Sequence, residues 1–237
     1  MTVLFCNCSY SAIIPTETRR AVHAALTASG VELITVADLC GAAARKDAVL
    51  REINSAVELT VVACYPRSVR WLFSYAGMPV GEDVRIMNMR TQTAEEILKT
   101  IGIVPVDPDT VPAYSAPAVE WIPWFPVLDY DRCTSCKQCV SFCPFGVYDV
   151  SAEDQVRVAH PEKCKNNCPA CSRMCPGTAI IFPKYTEEQY SGGEIGHGTD
   201  GQESPASVEA SLEGKDLHEI LARRRAFAQA RKGNKTR

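Results

Sequence analysis

Cys133-x-x-Cys136-x-x-Cys139-x-x-x-Cys143-Pro144, answered by Cys164-x-x-x-Cys168-x-x-Cys171-x-x-x-Cys175-Pro176, decides how this chain is read. Two-residue gaps let a short loop curl around one inorganic cube, so that thiolates and backbone N–H groups converge on it. The fourth cysteine of each run, fixed by the proline behind it, points away. In two-cluster arrangements with this spacing the fourth ligand completes the other site. Cys133, Cys136, Cys139 and Cys175 are therefore predicted to hold one [4Fe-4S] cluster, and Cys143, Cys164, Cys168 and Cys171 the second.

Zinc and disulfides are the competing readings. Zinc knuckles contribute two ligands each, and three closely spaced cysteines followed by Cys-Pro over-supply a tetrahedral site. A disulfide framework suits small secreted chains, whereas this sequence opens MTVLFCNCSY, without the basic and apolar regions of a secretory leader. A reducing, cytoplasmic setting is expected. The second run departs from the usual spacing, because Cys164 and Cys168 are separated by three residues rather than two. Asn166 and Asn167 tolerate left-handed backbone, so a wider loop is compatible with the site.

Of twelve cysteines, four remain: Cys6, Cys8, Cys40 and Cys64. Around them the chain alternates short apolar or β-branched runs, at 3–5, 31–36, 57–63 and 84–89, with helical patterns near 16–28, 42–54 and 69–75. That pattern predicts a small parallel sheet with crossover helices, an α/β domain over residues 1–104. Ligands of open parallel sheets bind beyond the carboxyl ends of the strands, where all four cysteines fall. A third iron–sulfur cluster, [4Fe-4S] or [2Fe-2S], is the leading expectation. Inert buried thiols are one alternative, and a redox-active pair at Cys6 and Cys8 is another.

Two resemblances extend these readings. Cys6-x-Cys8, the distant Cys40, Val61-Val-Ala-Cys64-Tyr-Pro-Arg67 and Met87-Asn-Met-Arg90 resemble the N-terminal domain of the large flavin-containing subunit of heterodisulfide reductase, known as HdrA. More loosely, they are similar to the delta subunit of viologen-reducing hydrogenases. Those resemblances imply an iron–sulfur centre in residues 1–104. No G-x-G-x-x-G follows a strand, so no flavin or nicotinamide site is expected here. Residues 127–186, with strands expected at 127–130, 156–159 and 179–182, resemble bacterial two-cluster ferredoxins. Their α+β fold, of βαββαβ type, carries the paired cysteine loops.

Between these regions, residues 105–126 form a proline-rich connector that excludes regular helix, and its Trp121, Trp124 and Phe125 are expected to pack within the chain. Residues 187–237 read as a polar tail with a short basic helix near 215–232. A net charge of -3 argues against nucleic-acid binding, and no apolar run is long enough to span a membrane.

Since each predicted cluster has a full cysteine set, the chain is expected to relay single electrons as one component of a larger oxidoreductase complex. Its partner would be a flavoprotein, a hydrogenase or a molybdenum or tungsten enzyme. A freely diffusing ferredoxin and a thiol–disulfide enzyme at Cys6 and Cys8 are the other readings. Acids and bases nearly balance over 127–186, which offers little single-sign steering and favours permanent docking.

Overall fold

Apolar, largely β-branched segments form β1 (Thr2–Cys6), β2 (Glu32–Val36), β3 (Leu59–Ala63) and β4 (Arg85–Asn88) in the computed structural model, which describes residues 1–54 and 58–195. Every residue of β1 and β3 is buried, as expected for inner strands of a parallel sheet covered on both faces. The order is β2-β1-β3-β4, with every neighbouring pair parallel. Helices α1 (Thr16–Ala28), α2 (Leu39–Ala44), α3 (Ala48–Asn54) and α4 (Pro66–Tyr75) make the crossovers. Because β2 lies on one side of β1 and β3 on the other, the winding reverses between β1 and β3. In open sheets of this order the crevice that takes ligands lies at the carboxyl ends of those two strands.

The helix expected over 42–54 is in fact two. Lys46 takes a left-handed φ of 51°, which ends α2, and the Asp47 carboxylate accepts the Val49 N–H at 3.3 Å to start α3. A further helix, α5 (Ala94–Ile101), is absent from the sequence reading although its signals are local. Thr93 and Glu96 form a reciprocal capping box, and Gly102 closes the helix at φ 74°.

The second half runs β5 (Val127–Leu128), α6 (Gln138–Phe142), β6 (Tyr148–Val150), β7 (Val156–Val158), α7 (Ala170–Met174) and β8 (Ile180–Ile181). That is the βαββαβ order. β5 pairs with β8 and β6 with β7, both antiparallel. A final short helix, α8 (Glu188–Ser191), follows. The tail helix expected near 215–232 lies outside the described residues.

The proline-rich connector carries a single 3-10 turn at Pro108–Thr110, and its aromatic end packs inward. Trp124 stacks on Phe182 at 5.5 Å between centroids, while Phe125 meets Tyr75 of α4 at 5.2 Å. The connector thus touches both halves, and Met1–Ile195 forms one unit.

Arg67, in the first turn of α4, is a polar tie across the same junction. Its Nε donates to Asp129 at 2.6 Å and its terminal nitrogen to the Thr178 carbonyl at 2.7 Å. Asp129 in turn receives the Arg132 and Cys133 N–H groups on its own carbonyl, so the ion pair anchors the start of the first cysteine loop. Removing one partner of a buried pair strands the other charge. Arg67→Met is expected to lower unfolding stability by about 3 kcal/mol in anaerobic denaturant titration.

Candidate metal centres

Cys133, Cys136, Cys139 and Cys175 line one pocket, walled by Leu128, Val156 and Ile180. Cys143, Cys164, Cys168 and Cys171 line a second, of about 200 Å³, walled by Phe142, Phe145, Val147 and Tyr148. Cys171 stands on the partition and borders both. Each cysteine run therefore sends its last member into the cavity of the other run.

Short helices and left-handed turns aim these thiols. α6 spans only five residues, and Lys137, its N-terminal neighbour, takes φ 62°, as Ser135 before it takes 51°. In the wider loop of the second run Asn167 adopts φ 58°, the conformation its side chain tolerates well. Backbone and hydroxyl donors are directed at sulfur: the Ala179 N–H reaches Cys175 Sγ at 3.3 Å, and the buried Tyr148 hydroxyl reaches Cys171 Sγ at 3.0 Å.

Burial pushes the Cys139 thiol up to about 12, with further upward pressure from Cys171, Cys133 and Cys175. Cys164 is likewise raised to about 12 by burial and then by Cys171, Cys168 and Cys143. Burial raises Cys171 to about 11, opposed by the Tyr148 hydrogen bond. At Cys139, Cys164 and Cys171, burial first and neighbouring thiols second oppose ionisation. Thiolates in such a cavity need a cation among them, so a sulfur-only donor set in apolar walls fits a thiolate-bound iron–sulfur cluster. Among the described residues no three Cys, His, Asp or Glu side chains draw together as one metal ion would need; the thiols stand around cavities instead.

The four remaining cysteines gather at the sheet's crevice. Cys6 ends β1, Cys8 lies two residues on at φ 48°, Cys40 sits in the first turn of α2 and Cys64 follows β3. Their exposures are 5%, 6%, 6% and 9%. Cys6 Sγ accepts the Leu39 N–H at 3.2 Å. A bond from the Cys8 thiol holds Cys6 below the ordinary thiol range and Cys8 above it. Burial lifts Cys40 well above that range and Cys64 to about 12, with neighbouring cysteines adding to both.

The sequence reading missed the polar residues that frame this crevice. Arg90 lies over the Tyr65 ring at 4.4 Å and donates to Ser191 Oγ at 2.8 Å. Lys184, just beyond β8, forms a buried ion pair with Asp38. Arg67 and Arg90 stand in the quoted motifs, but no short-range signal points to Lys184.

The 4Fe-4S dicluster domain family matches residues 125–201. An uncharacterized ferredoxin of Methanocaldococcus jannaschii is 52% identical over 63 residues, 26% of this chain and 42% of that protein. The pyruvate synthase subunit PorD of Methanothermobacter marburgensis is 37% identical over 60 residues, 25% of this chain and 67% of that one. PorD of M. jannaschii is 32% identical over 69 residues, 29% of this chain and 76% of its own length. The chain thus spans less than half of the first of these relatives, and all three matches cover only about a quarter of the chain.

The crossed cavities make a specific expectation. Cys143→Ala should deplete the cluster bordered by Cys164, Cys168 and Cys171 and spare the one bordered by Cys133, Cys136 and Cys139. Iron analysis with EPR of each reduced centre checks it; loss confined to the first run's own centre would contradict crossed ligation.

Proposed function

Starting from a chain that belongs to the 4Fe-4S dicluster family through residues 125–201, we infer that this protein relays single electrons as one component of a multi-subunit oxidoreductase. A thiolate-held cube, when bound, exchanges one electron with little rearrangement. The observation that carries the reading is the pair of cavities, each bordered by thiols from both cysteine runs. Cys133, Cys136, Cys139 and Cys175 would hold one cube, and Cys143, Cys164, Cys168 and Cys171 the other. Apolar side chains wall both, and the Tyr148 hydroxyl and Ala179 N–H would stabilise negative charge on sulfur.

Cys6, Cys8, Cys40 and Cys64 would bind a third cluster at the β1/β3 crevice. Their convergence from three separate strand ends supports this, as does the resemblance of residues 1–104 to the N-terminal domain of HdrA. With four cysteines committed to each centre, no iron position is left open for substrate. The chain therefore conducts, and the chemistry sits on a partner. The similarity to PorD favours a complex of the pyruvate synthase kind, while a flavoprotein, hydrogenase or molybdenum or tungsten enzyme fits the same role. Among the described residues no helix is long and apolar enough to cross a membrane.

A thiol–disulfide enzyme at Cys6 and Cys8 is the second reading, favoured by the depressed Cys6 thiol. It is opposed by burial, since attack on a disulfide requires an accessible thiolate.

Two measurements test these assignments. Cys64→Ser is expected to remove one cluster's iron while both ferredoxin-type EPR signals persist; unchanged iron would rule out the third centre. In anaerobic native extract the chain is expected to elute well above its 25.9 kDa mass together with fixed partners. Elution as a monomer would favour a diffusing ferredoxin.

A further inference from the structure

Among the charged groups at the crevice, the pair Asp38–Lys184 stands out, because its members are 146 residues apart and both side chains are nearly sealed from solvent, at 2% and 5% exposure. Asp38 belongs to the N-terminal half and has a local duty. It is the N-cap of α2, and its carboxylate accepts the Cys40 N–H at 3.2 Å, which fixes where that cysteine points. The same carboxylate, itself buried, thereby places a negative charge against the backbone of Cys40, beside the crevice thiols. A capping residue that aids geometry thus works against a site needing several thiolates.

Lys184 arrives from the other half of the chain. It follows Phe182 and Pro183, which with Pro123, Trp124 and Phe125 close a dry apolar wall over Cys40. Its ammonium meets the Asp38 carboxylate and lies 6.0 Å from the Tyr10 ring centroid. Lys184 also borders the same small pocket as Cys40, so its charge is held beside that thiol as well as against Asp38. Buried ion pairs seldom raise stability over apolar packing, so the placement calls for another reason.

We propose that Lys184 is a charge-compensating residue for the N-terminal centre: it cancels Asp38 and thereby sets both the retention and the reduction potential of a cluster held by Cys6, Cys8, Cys40 and Cys64. The proposal rests on the third-cluster reading. Without Lys184 the crevice carries one more uncancelled negative charge, and adding an electron becomes harder. Arg90 remains in place as a second cation, so the effect is a shift rather than collapse.

The test is an EPR-monitored redox titration of the full chain, purified anaerobically, as Lys184→Gln and as Lys184→Gln/Asp38→Asn. Asparagine still caps α2, so the double variant removes both charges and keeps the turn. Lys184→Gln is expected to be about tenfold less reduced at a fixed potential, equivalent to about 59 mV for one electron, in the N-terminal centre alone. The double variant should return close to wild type. If the single variant loses that centre's iron, the double variant should regain it. An unshifted single variant with full iron would overturn the role of Lys184, as would a double variant no better than the single. Wild-type protein with iron for only the two ferredoxin-type centres would overturn the third-cluster reading itself, and the role of Lys184 with it.

Discussion

Placing a negative charge on a buried sulfur is unfavourable, and placing several side by side is more so. The chain gathers its twelve cysteines around three sites where burial and mutual repulsion oppose ionisation at the sulfurs whose shifts stand out most. Left alone, Cys64, Cys139 and Cys164 would stay protonated. They become ligands only where a multiply charged cation enters and the surrounding donors and cations share the negative charge. The apolar walls and the N–H and O–H groups aimed at sulfur bear on that one electrostatic problem, and the charge compensation proposed for Lys184 would be a further answer to it.

Both halves of the chain contribute to each answer. The ferredoxin-type module supplies Lys184 and the segment around α8 that receives Arg90 and the Ser68 hydroxyl. The parallel-sheet half supplies Arg67, which fixes Asp129 at the root of the first cysteine loop and the Thr178 carbonyl beyond Cys175. The aromatic end of the connector fills the space between. Because polar ties and stacked rings cross the junction together, the N-terminal crevice and the first cysteine loop are held in a fixed relation.

What could be read from the sequence was what local geometry dictates. Cysteine spacing shows a cluster loop because the ligands of one loop are neighbours in the chain, and the Asn166-Asn167 pair signalled a turn that Asn167 does make. The strand-forming runs were legible because inner parallel strands are apolar on both faces. The break at Lys46 was not, since a lysine at positive φ leaves no composition cue. Strand order, and with it the meeting of Cys6 and Cys64 across the β1/β3 crevice, depends on packing between distant segments. Asp38 with Lys184 and Arg67 with Asp129 lie farther still from any periodic signal, because a buried ion pair between halves is written in no window of sequence. The missed helix α5 differs in kind: Thr93, Glu96 and Gly102 announced it at both ends.

Iron, acid-labile sulfide and zinc measured per chain on full-length protein purified without oxygen test the central claim most directly. Sulfur cradles built for clusters predict iron and sulfide in equal amounts, exceeding what two cubes hold, with zinc absent. Zinc in place of iron, or iron without inorganic sulfide, would contradict the account.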